Sequence, residues 1–153
     1  MNRDLKDLLS KLLGYGAEHM IVGAHALAAY GLVRATPEFE VWVRPTRANG
    51  LAVLNALKAF RAPLHDLTER DFDAPGVEIQ IGLPPFCVQI RTQMPGLDFT
   101  TAWTARVKTR FAGEFVAVPT REHLIRIKRA AGGLQDMADV EWLEAQRTPP
   151  APK

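Results

Sequence analysis

The chain is poor in cysteine and in net charge. Cys87 is its only cysteine, which excludes an intrachain disulfide and a cysteine-based zinc site. It follows Phe86 in an apolar stretch, which is typical of a small buried residue rather than a nucleophile. The formal net charge of +2 comes from 19 Lys and Arg against 17 Asp and Glu. With the basic residues spread along the chain, this balance does not favour nucleic-acid binding.

Long apolar runs are also missing. No stretch approaches the roughly 20 apolar residues of a membrane helix, and the N-terminal MNRDLKDLLSKLLGYG mixes charges into its leucines instead of forming a signal-peptide core. We therefore expect a cytoplasmic protein with no membrane partner. The composition, 47% hydrophobic and 24% charged, is that of a globular protein. We expect one domain over residues 1–146 and a flexible tail over 147–153.

Common catalytic motifs are absent as well. The sequence has no P-loop, no GxGxxG and no nucleophile elbow. His19, His65 and His123 have no metal-ligand spacing with one another. These absences exclude the best-marked phosphate, dinucleotide and hydrolase sites.

Helical and strand patterns alternate along the chain. Helices are predicted from the leucine stripe that starts at Leu5, from AHALAAYG, from TRANGLAVLNALKAF after the N-cap Thr46, from DFTTAWTAR, from TREHLIRIKRAAG after the N-cap Thr120, and from LQDMADVEWLEAQ. Strands are predicted from HMIVGAH, RATPEFEVWVRP, VEIQIG, FCVQIRT and the hairpin VKTRFAGEFVAV, whose turn holds Ala112 and Gly113. Residues 61–76 are predicted to be a loop with at most one helical turn. The pattern predicts an α/β (α+β) domain with a sheet covered by helices.

The turn Gly23-Ala24-His25 joins a predicted strand to a short helix. Such a turn presents backbone N–H groups that suit phosphate, although most turns of this kind only connect two elements. His25 would line a site beside the turn, but a lone histidine in such a place is more often a polar filler. Arg34, with Arg44 and Arg47, flanks the same region and could meet phosphate. Solvated loop charge is the preferred interpretation of these arginines, and Arg34 is kept as a substrate-binding candidate.

Glu38 and Glu40 lie two residues apart in the strand RATPEFEVWVRP. They therefore stand side by side on one face, while Phe39, Val41 and Val43 point the other way. Like charges this close raise each other's pKa or recruit a cation, and hard divalent ions prefer carboxylate oxygens. A solvated polar face, part of a metal site and a pair balanced by arginine all stay open.

Lys128, Asp136 and Asp139 surround the helix break in IKRAAGGLQDMAD. A lysine near a phosphate site would hold a nucleotide. The alternative is a pair of solvated helix ends, because a lysine near one helix C-terminus and an aspartate near the next N-terminus both suit the helix dipoles.

Taken in order, these stretches resemble one family. MIVGAHALAAYGLVRATPEFEVWVRPT resembles the signature of small nucleotidyltransferases of the DNA polymerase β-like superfamily: a strand, a Gly-Gly or Gly-Ser turn, a short helix, and a strand with Asp-x-Asp or Asp-x-Glu. IQIGLPPFCVQIRT lies where a later strand carries a third carboxylate. LIRIKRAAGGLQDMADVEWLE resembles the closing helices of bacterial members, including relatives of abortive-infection toxins. The resemblance spans roughly residues 18–145, and its motif order is more specific than any single piece.

The resemblance implies the nucleotidyltransferase fold, a mixed β-sheet flanked by helices with a helical C-terminal segment. It also implies two-metal nucleotidyl transfer with Mg²⁺ or Mn²⁺ on three carboxylates. The matching positions are Gly23, Glu38, Glu40, Gln89, Lys128 and Asp136. The glycine would cradle phosphates and the two glutamates would bind metal. Gln89 stands in the third catalytic position, and the last two residues are substrate-binding candidates.

The departures from the family pattern all fall on this predicted site. Ala24 replaces the second Gly or Ser and adds a Cβ where phosphate would approach. Glu38 replaces an aspartate, so its carboxylate stands one methylene further out, which the near-ideal octahedral geometry of Mg²⁺ tolerates poorly. Gln89 is neutral. Arg91 lies on the same strand face as Gln89 and, if the strands are neighbours, would neutralise Glu38 and Glu40.

Two functions follow. The favoured one is a nucleotidyltransferase-like protein with weak or lost NMP transfer that binds a nucleotide or a protein partner. The alternative is an active, metal-dependent enzyme that transfers NMP from a nucleoside triphosphate to an unknown acceptor. A plain nucleic-acid-binding protein is the least favoured class.

Overall fold

The computed structural model of the chain describes residues 3–83 and 86–146. The helices of this part are α1 (Arg3–Gly14), α2 (Ala24–Ala29), α3 (Arg47–Phe60), a short 3₁₀ helix (Glu69–Phe72), α4 (Phe99–Thr104), α5 (Arg121–Ala131) and α6 (Leu134–Ala145). The strands are β1 (His19–Val22), β2 (Glu38–Val43), β3 (Glu78–Leu83), β4 (Phe86–Arg91), β5 (Val107–Phe111) and β6 (Glu114–Val118). The predicted elements are thus present. The predicted tail, 147–153, lies outside the described residues.

The main sheet is mixed, as expected. Its strands follow the order β1-β2-β4-β3, with β2 parallel to β4 and the other pairs antiparallel. The strands β5 and β6 form a separate hairpin that packs beside β1. Ala112 and Gly113 at its turn have φ values of 56° and 80°, the left-handed pair that a type I′ hairpin turn needs.

The strand β2 separates two layers. Phe39, Val41 and Val43 are fully buried on one face, in a core shared with apolar residues of α1 and α3. Glu40 and Trp42 alternate with them and so point to the opposite face. There the ring of Trp42 packs edge-on against Phe99 of α4, with 5.3 Å between centroids. The polar residues of the candidate site therefore share a layer with a second, smaller core.

Local chemistry explains several helix boundaries. The predicted N-caps of α3 and α5 are confirmed, because the side-chain oxygens of Thr46 and Thr120 accept hydrogen bonds from backbone N–H groups three residues on, at 3.2 and 3.1 Å. Gly50 lowers the helix propensity of α3, but close packing explains why a glycine is present there. A Cβ there would lie 2.6 Å from the carbonyl oxygen of Glu69, so the glycine lets the 3₁₀ helix pack directly on α3.

None of the helices in the described ranges combines the length and the apolar composition needed to cross a membrane.

Candidate functional site

Two of the predicted catalytic positions lie in one row across the main sheet. The register pairs Val22 of β1 with Glu40 of β2, Glu40 with Gln89 of β4, and Gln89 with Gln80 of β3. Glu40 and Gln89, predicted as the second and third catalytic positions, are therefore direct neighbours. Glu38 lies at the start of β2 and is exposed.

The turn after β1 is packed against Glu40. Gly23 has a φ of 71°, and a Cβ at this position would lie 1.9 Å from Oε2 of Glu40. Only glycine combines this left-handed backbone with such a close approach. An anion that approaches the turn from this side meets the Glu40 carboxylate, which disfavours a phosphate cradle. Ala24 follows as the first residue of α2.

Arg91 neutralises Glu40, as predicted. Its Nη1 lies 3.2 Å from Oε1 of Glu40, and its Nε lies 3.2 Å from Oε1 of Glu78. The side chains of Arg91 and Glu40 are 25% and 19% exposed, so the pair is partly shielded from water. The predicted contact with Glu38 is absent from the described ion pairs, where Glu78 of β3 takes its place. Alternation along β4 placed Arg91 on the correct face, but the sequence did not show the register that brings Glu78 beside it.

A second charge cluster joins three parts of the chain. Nζ of Lys128 lies 3.3 Å from Oδ1 of Asp136 and 3.1 Å from Oδ2 of Asp139. Oδ1 of Asp139 accepts hydrogen bonds from Nη2 of Arg34 and, at 3.1 Å, from Nε2 of Gln135. Asp139 is only 2% exposed. Burial raises the pKa of its carboxyl, but the hydrogen bonds from Arg34, Lys128 and Gln135 outweigh this effect and hold the pKa below its ordinary value.

A cleft of about 220 Å³ brings four predicted residues together: its lining includes Gly23, Glu40, Lys128 and Asp136, together with Arg91. Both cations of this lining are already paired with carboxylates. The cleft therefore offers no surplus positive charge to a phosphate group.

His25 lies on the other side of β2. Its ring packs against Phe39, on the face opposite Glu40, and against Phe111, with 4.8 and 5.5 Å between ring centroids. Burial lowers the pKa of this imidazole. The residue lines a separate cavity between α2 and the β5–β6 hairpin, so the structure does not bring it to the cleft.

Among the described ion pairs, Arg34 reaches the site through Asp139. The predicted site did not include Asp139, although this residue lies beside the predicted helix break. Its signal was the spacing of three residues from Asp136, which places both on one helix face.

The residues present do not fit a two-metal centre. The described part of the chain holds no group of three or more His, Cys, Asp or Glu side chains placed to bind a metal. Glu40 is paired with Arg91, and its sheet neighbour Gln89 has no charge to offer. The guanidinium of Arg91 thus forms an ion pair with the carboxylate that a divalent ion would need as a ligand.

Comparisons with known proteins concern the fold. No model of a protein family matches the chain, and no curated protein matches it. Similar solved structures include the following two. One is TM1012 from Thermotoga maritima, a provisionally assigned nucleotidyltransferase, with a TM-score of 0.59, 13% identity, and coverage of 95% of this chain and 89% of that one. The other is the lincosamide antibiotic adenylyltransferase LnuA, bound to lincomycin, with a TM-score of 0.58, 9% identity, and coverage of 95% and 97%. The chain therefore has the fold of the nucleotidyltransferases.

Proposed function

We propose that the chain is a nucleotidyltransferase-like protein in which NMP transfer is weak or lost and whose cleft binds a nucleotide or a protein partner. A relationship to abortive-infection toxins, suggested by the closing helices, is part of this proposal. The observation that carries it is the 3.2 Å contact between Nη1 of Arg91 and Oε1 of Glu40. A tethered cation competes directly with any divalent ion for this carboxylate.

Three features of the site each disfavour two-metal nucleotidyl transfer. Two-metal transfer needs anionic oxygen ligands that hold both ions and stabilise the developing charge. Glu40 is engaged by Arg91, Glu38 is exposed at the start of β2, and the third position is the neutral Gln89. An active form would need Mg²⁺ or Mn²⁺ to displace the guanidinium from Glu40.

The cleft still suits a small polar ligand. Its volume of about 220 Å³ lies below the roughly 300–1,000 Å³ of pockets for drug-sized ligands. It is therefore sized for part of a nucleotide, or for one side chain of a partner. Because Lys128 and Arg91 are paired within the protein, we expect the ligand's phosphates to contribute little to affinity.

Thermal denaturation with Mg²⁺, Mn²⁺ and each nucleoside triphosphate tests the proposal. A ligand present at one hundred times its Kd raises the free energy of unfolding by about 2.7 kcal/mol. We expect no stabilisation by either metal alone and a nucleotide effect that is the same with and without metal. Stabilisation that requires both, together with NMP transfer to an acceptor, would establish the active enzyme instead.

A restoration experiment sharpens the test. The triple variant Glu38→Asp, Gln89→Asp, Arg91→Met supplies three carboxylates and removes the competing cation, so we expect it to gain stabilisation by Mn²⁺. The matched control replaces Arg44 instead of Arg91 in the same double background. Arg44 is also a partly buried arginine, and it contacts Glu18 at 3.0 Å. Equal metal responses from both triple variants would contradict the role assigned to Arg91.

A further inference from the structure

The outward face of the β5–β6 hairpin carries a row of cations. Lys108 and Arg110 alternate with the buried Thr109 along β5 and are exposed, and Arg106 directly precedes the strand. Side chains two residues apart share a face of a strand. The five residues from Arg106 to Arg110 span about 13 Å at the usual strand rise. The row is therefore longer than one phosphate group.

Within residues 3–83 and 86–146 these cations have no carboxylate partners. Among the ion pairs of the described residues, none includes Arg106, Lys108 or Arg110. Both arginines are held by aromatic rings instead. Cζ of Arg106 lies 3.7 Å from the ring centroid of Trp103, and Cζ of Arg110 lies 4.8 Å from that of Phe115. Ring contacts order a guanidinium without neutralising it.

A depression of about 220 Å³ lies beside the row. Its described lining includes Trp103, Arg106, Lys108 and Phe115, and no acidic residue. Phe115 is 58% exposed, so one large ring is open to a ligand.

A buried histidine borders the same depression. His19 belongs to its lining and is only 3% exposed. Nδ1–H of His19 donates to the carbonyl oxygen of Ala17 at 2.7 Å, which leaves Nε2 with a lone pair. Within the described residues this nitrogen has no hydrogen-bond partner. This nitrogen is shielded from solvent, so a ligand in the depression would contact the cations and the aromatic rings rather than the imidazole.

We propose that this hairpin face binds single-stranded nucleic acid. Phosphates contact Arg106, Lys108 and Arg110, and an unpaired base stacks on Phe115 at the depression. A row of cations without carboxylates fits a polyanion better than a single phosphate. Exposed aromatic rings beside cations are how sequence-tolerant sites hold unpaired bases. A duplex offers the phosphates but hides the base faces.

Fluorescence anisotropy with a labelled oligo(dT) of about ten nucleotides, within the usual site sizes, tests the proposal against a duplex of the same length. With three phosphate contacts, log K falls with log salt concentration at a slope of about −2, and the double variant Lys108→Gln, Arg110→Gln reduces this slope to about −0.7. Phe115→Ala weakens single-strand binding by roughly 5- to 150-fold and leaves duplex binding unchanged. The replaced side chains are exposed, and far-UV circular dichroism checks that each variant is folded.

The matched control is the double variant Lys58→Gln, Arg126→Gln. It removes the same charge from two exposed residues outside the described ion pairs, on α3 and α5, and should leave the slope at about −2. Equal losses from both double variants would overturn the proposal, as would no binding at low salt or equal affinity for duplex and single strand. Equally tight binding of a poly(glutamate) peptide, with no effect of Phe115→Ala, would instead identify an acidic protein segment as the ligand.

Discussion

The cleft and the hairpin face each gather three cations, and the two groups differ in their partners. Around the cleft, Arg34, Arg91 and Lys128 each contact a carboxylate of the chain. On the hairpin, no described carboxylate contacts Arg106, Lys108 or Arg110. Cations of the first kind are committed to the fold, whereas those of the second kind are available to an external anion. The residue types alone do not separate these two cases.

The largest effect that separates the regions is expected at Asp139. We expect Asp139→Asn to lower the free energy of unfolding by about 3 kcal/mol, the lower end of the range for breaking a buried pair, because Lys128 keeps Asp136 as a partner. Urea denaturation measures this change. Asp7→Asn is the control, since the pair of Asp7 with Lys11 is exposed and 3.6 Å long, and its loss should cost less than about 0.5 kcal/mol. Equal losses would show that the cleft cluster is not structural.

A smaller difference in stability is expected when one glycine from each region is replaced by alanine. In the cleft, Gly23→Ala places a Cβ 1.9 Å from Oε2 of Glu40 at a φ of 71°. In the hairpin turn, Gly113→Ala meets only the flexible end of Lys6, 3.7 Å away, at a φ of 80°. Both should show backbone strain of about 1 kcal/mol, and Gly23→Ala should cost about 1 kcal/mol more because Glu40 must move. The excess should vanish in a Glu40→Ala background, and an excess that persists would contradict the contact.

Acid should affect the two regions in different pH windows. Burial lowers the pKa of His19, beside the hairpin, below its ordinary 6.5. Because the unfolded chain takes up this proton first, stability is lost as the pH falls below about 6.5, by at most about 1.4 kcal/mol per pH unit. The pKa of Asp139 is also lowered, from its ordinary value of 3.8. Asp139 therefore contributes to the free energy of unfolding above pH 3.8, and this contribution is lost only as the pH falls further.

Denaturation at successive pH values from 7 to 3 tests these windows. We expect His19→Asn, which can still donate to Ala17, to reduce the loss of stability between pH 6.5 and 5, with part of the slope left to His25, whose pKa burial also lowers. An unchanged slope in this window would show that His19 is not the titrating group.

The smallest effect is expected from the hairpin cations. Lys108→Gln with Arg110→Gln should change the free energy of unfolding by no more than about 0.5 kcal/mol, since neither residue has a carboxylate partner and both are exposed. Urea denaturation of this variant provides the counterpart of the Asp139 experiment. A loss of 2 kcal/mol or more, about the scale of breaking a structural interaction, would mean that these cations also support the fold.

Local patterns predicted the elements and part of the cleft. Strand alternation was sufficient to place Arg91 on the face of Glu40, because the period of a strand is fixed by its geometry. The family resemblance brought Gly23, Lys128 and Asp136 into one site. These predictions needed only local structure and the order of motifs.

The sequence did not predict which residues far apart in the chain contact one another. The contact of Arg34 with Asp139 joins residues 105 positions apart, and the partner Glu78 depends on the register between β3 and β4. The basic row on the hairpin was hidden for another reason. Whole-chain charge is nearly balanced, so only the fold shows that none of the described carboxylates contacts these cations.

The ion pair between Arg34 and Asp139 also bears on the order of folding. Its two residues are separated by 105 positions, and closing so long a loop carries an entropic cost that local contacts avoid. The hairpin cations, in contrast, sit within five consecutive residues and need only a local turn. We therefore expect the cleft to be completed late in folding, after the hairpin has formed, and to open first when α5 and α6 detach from the sheet.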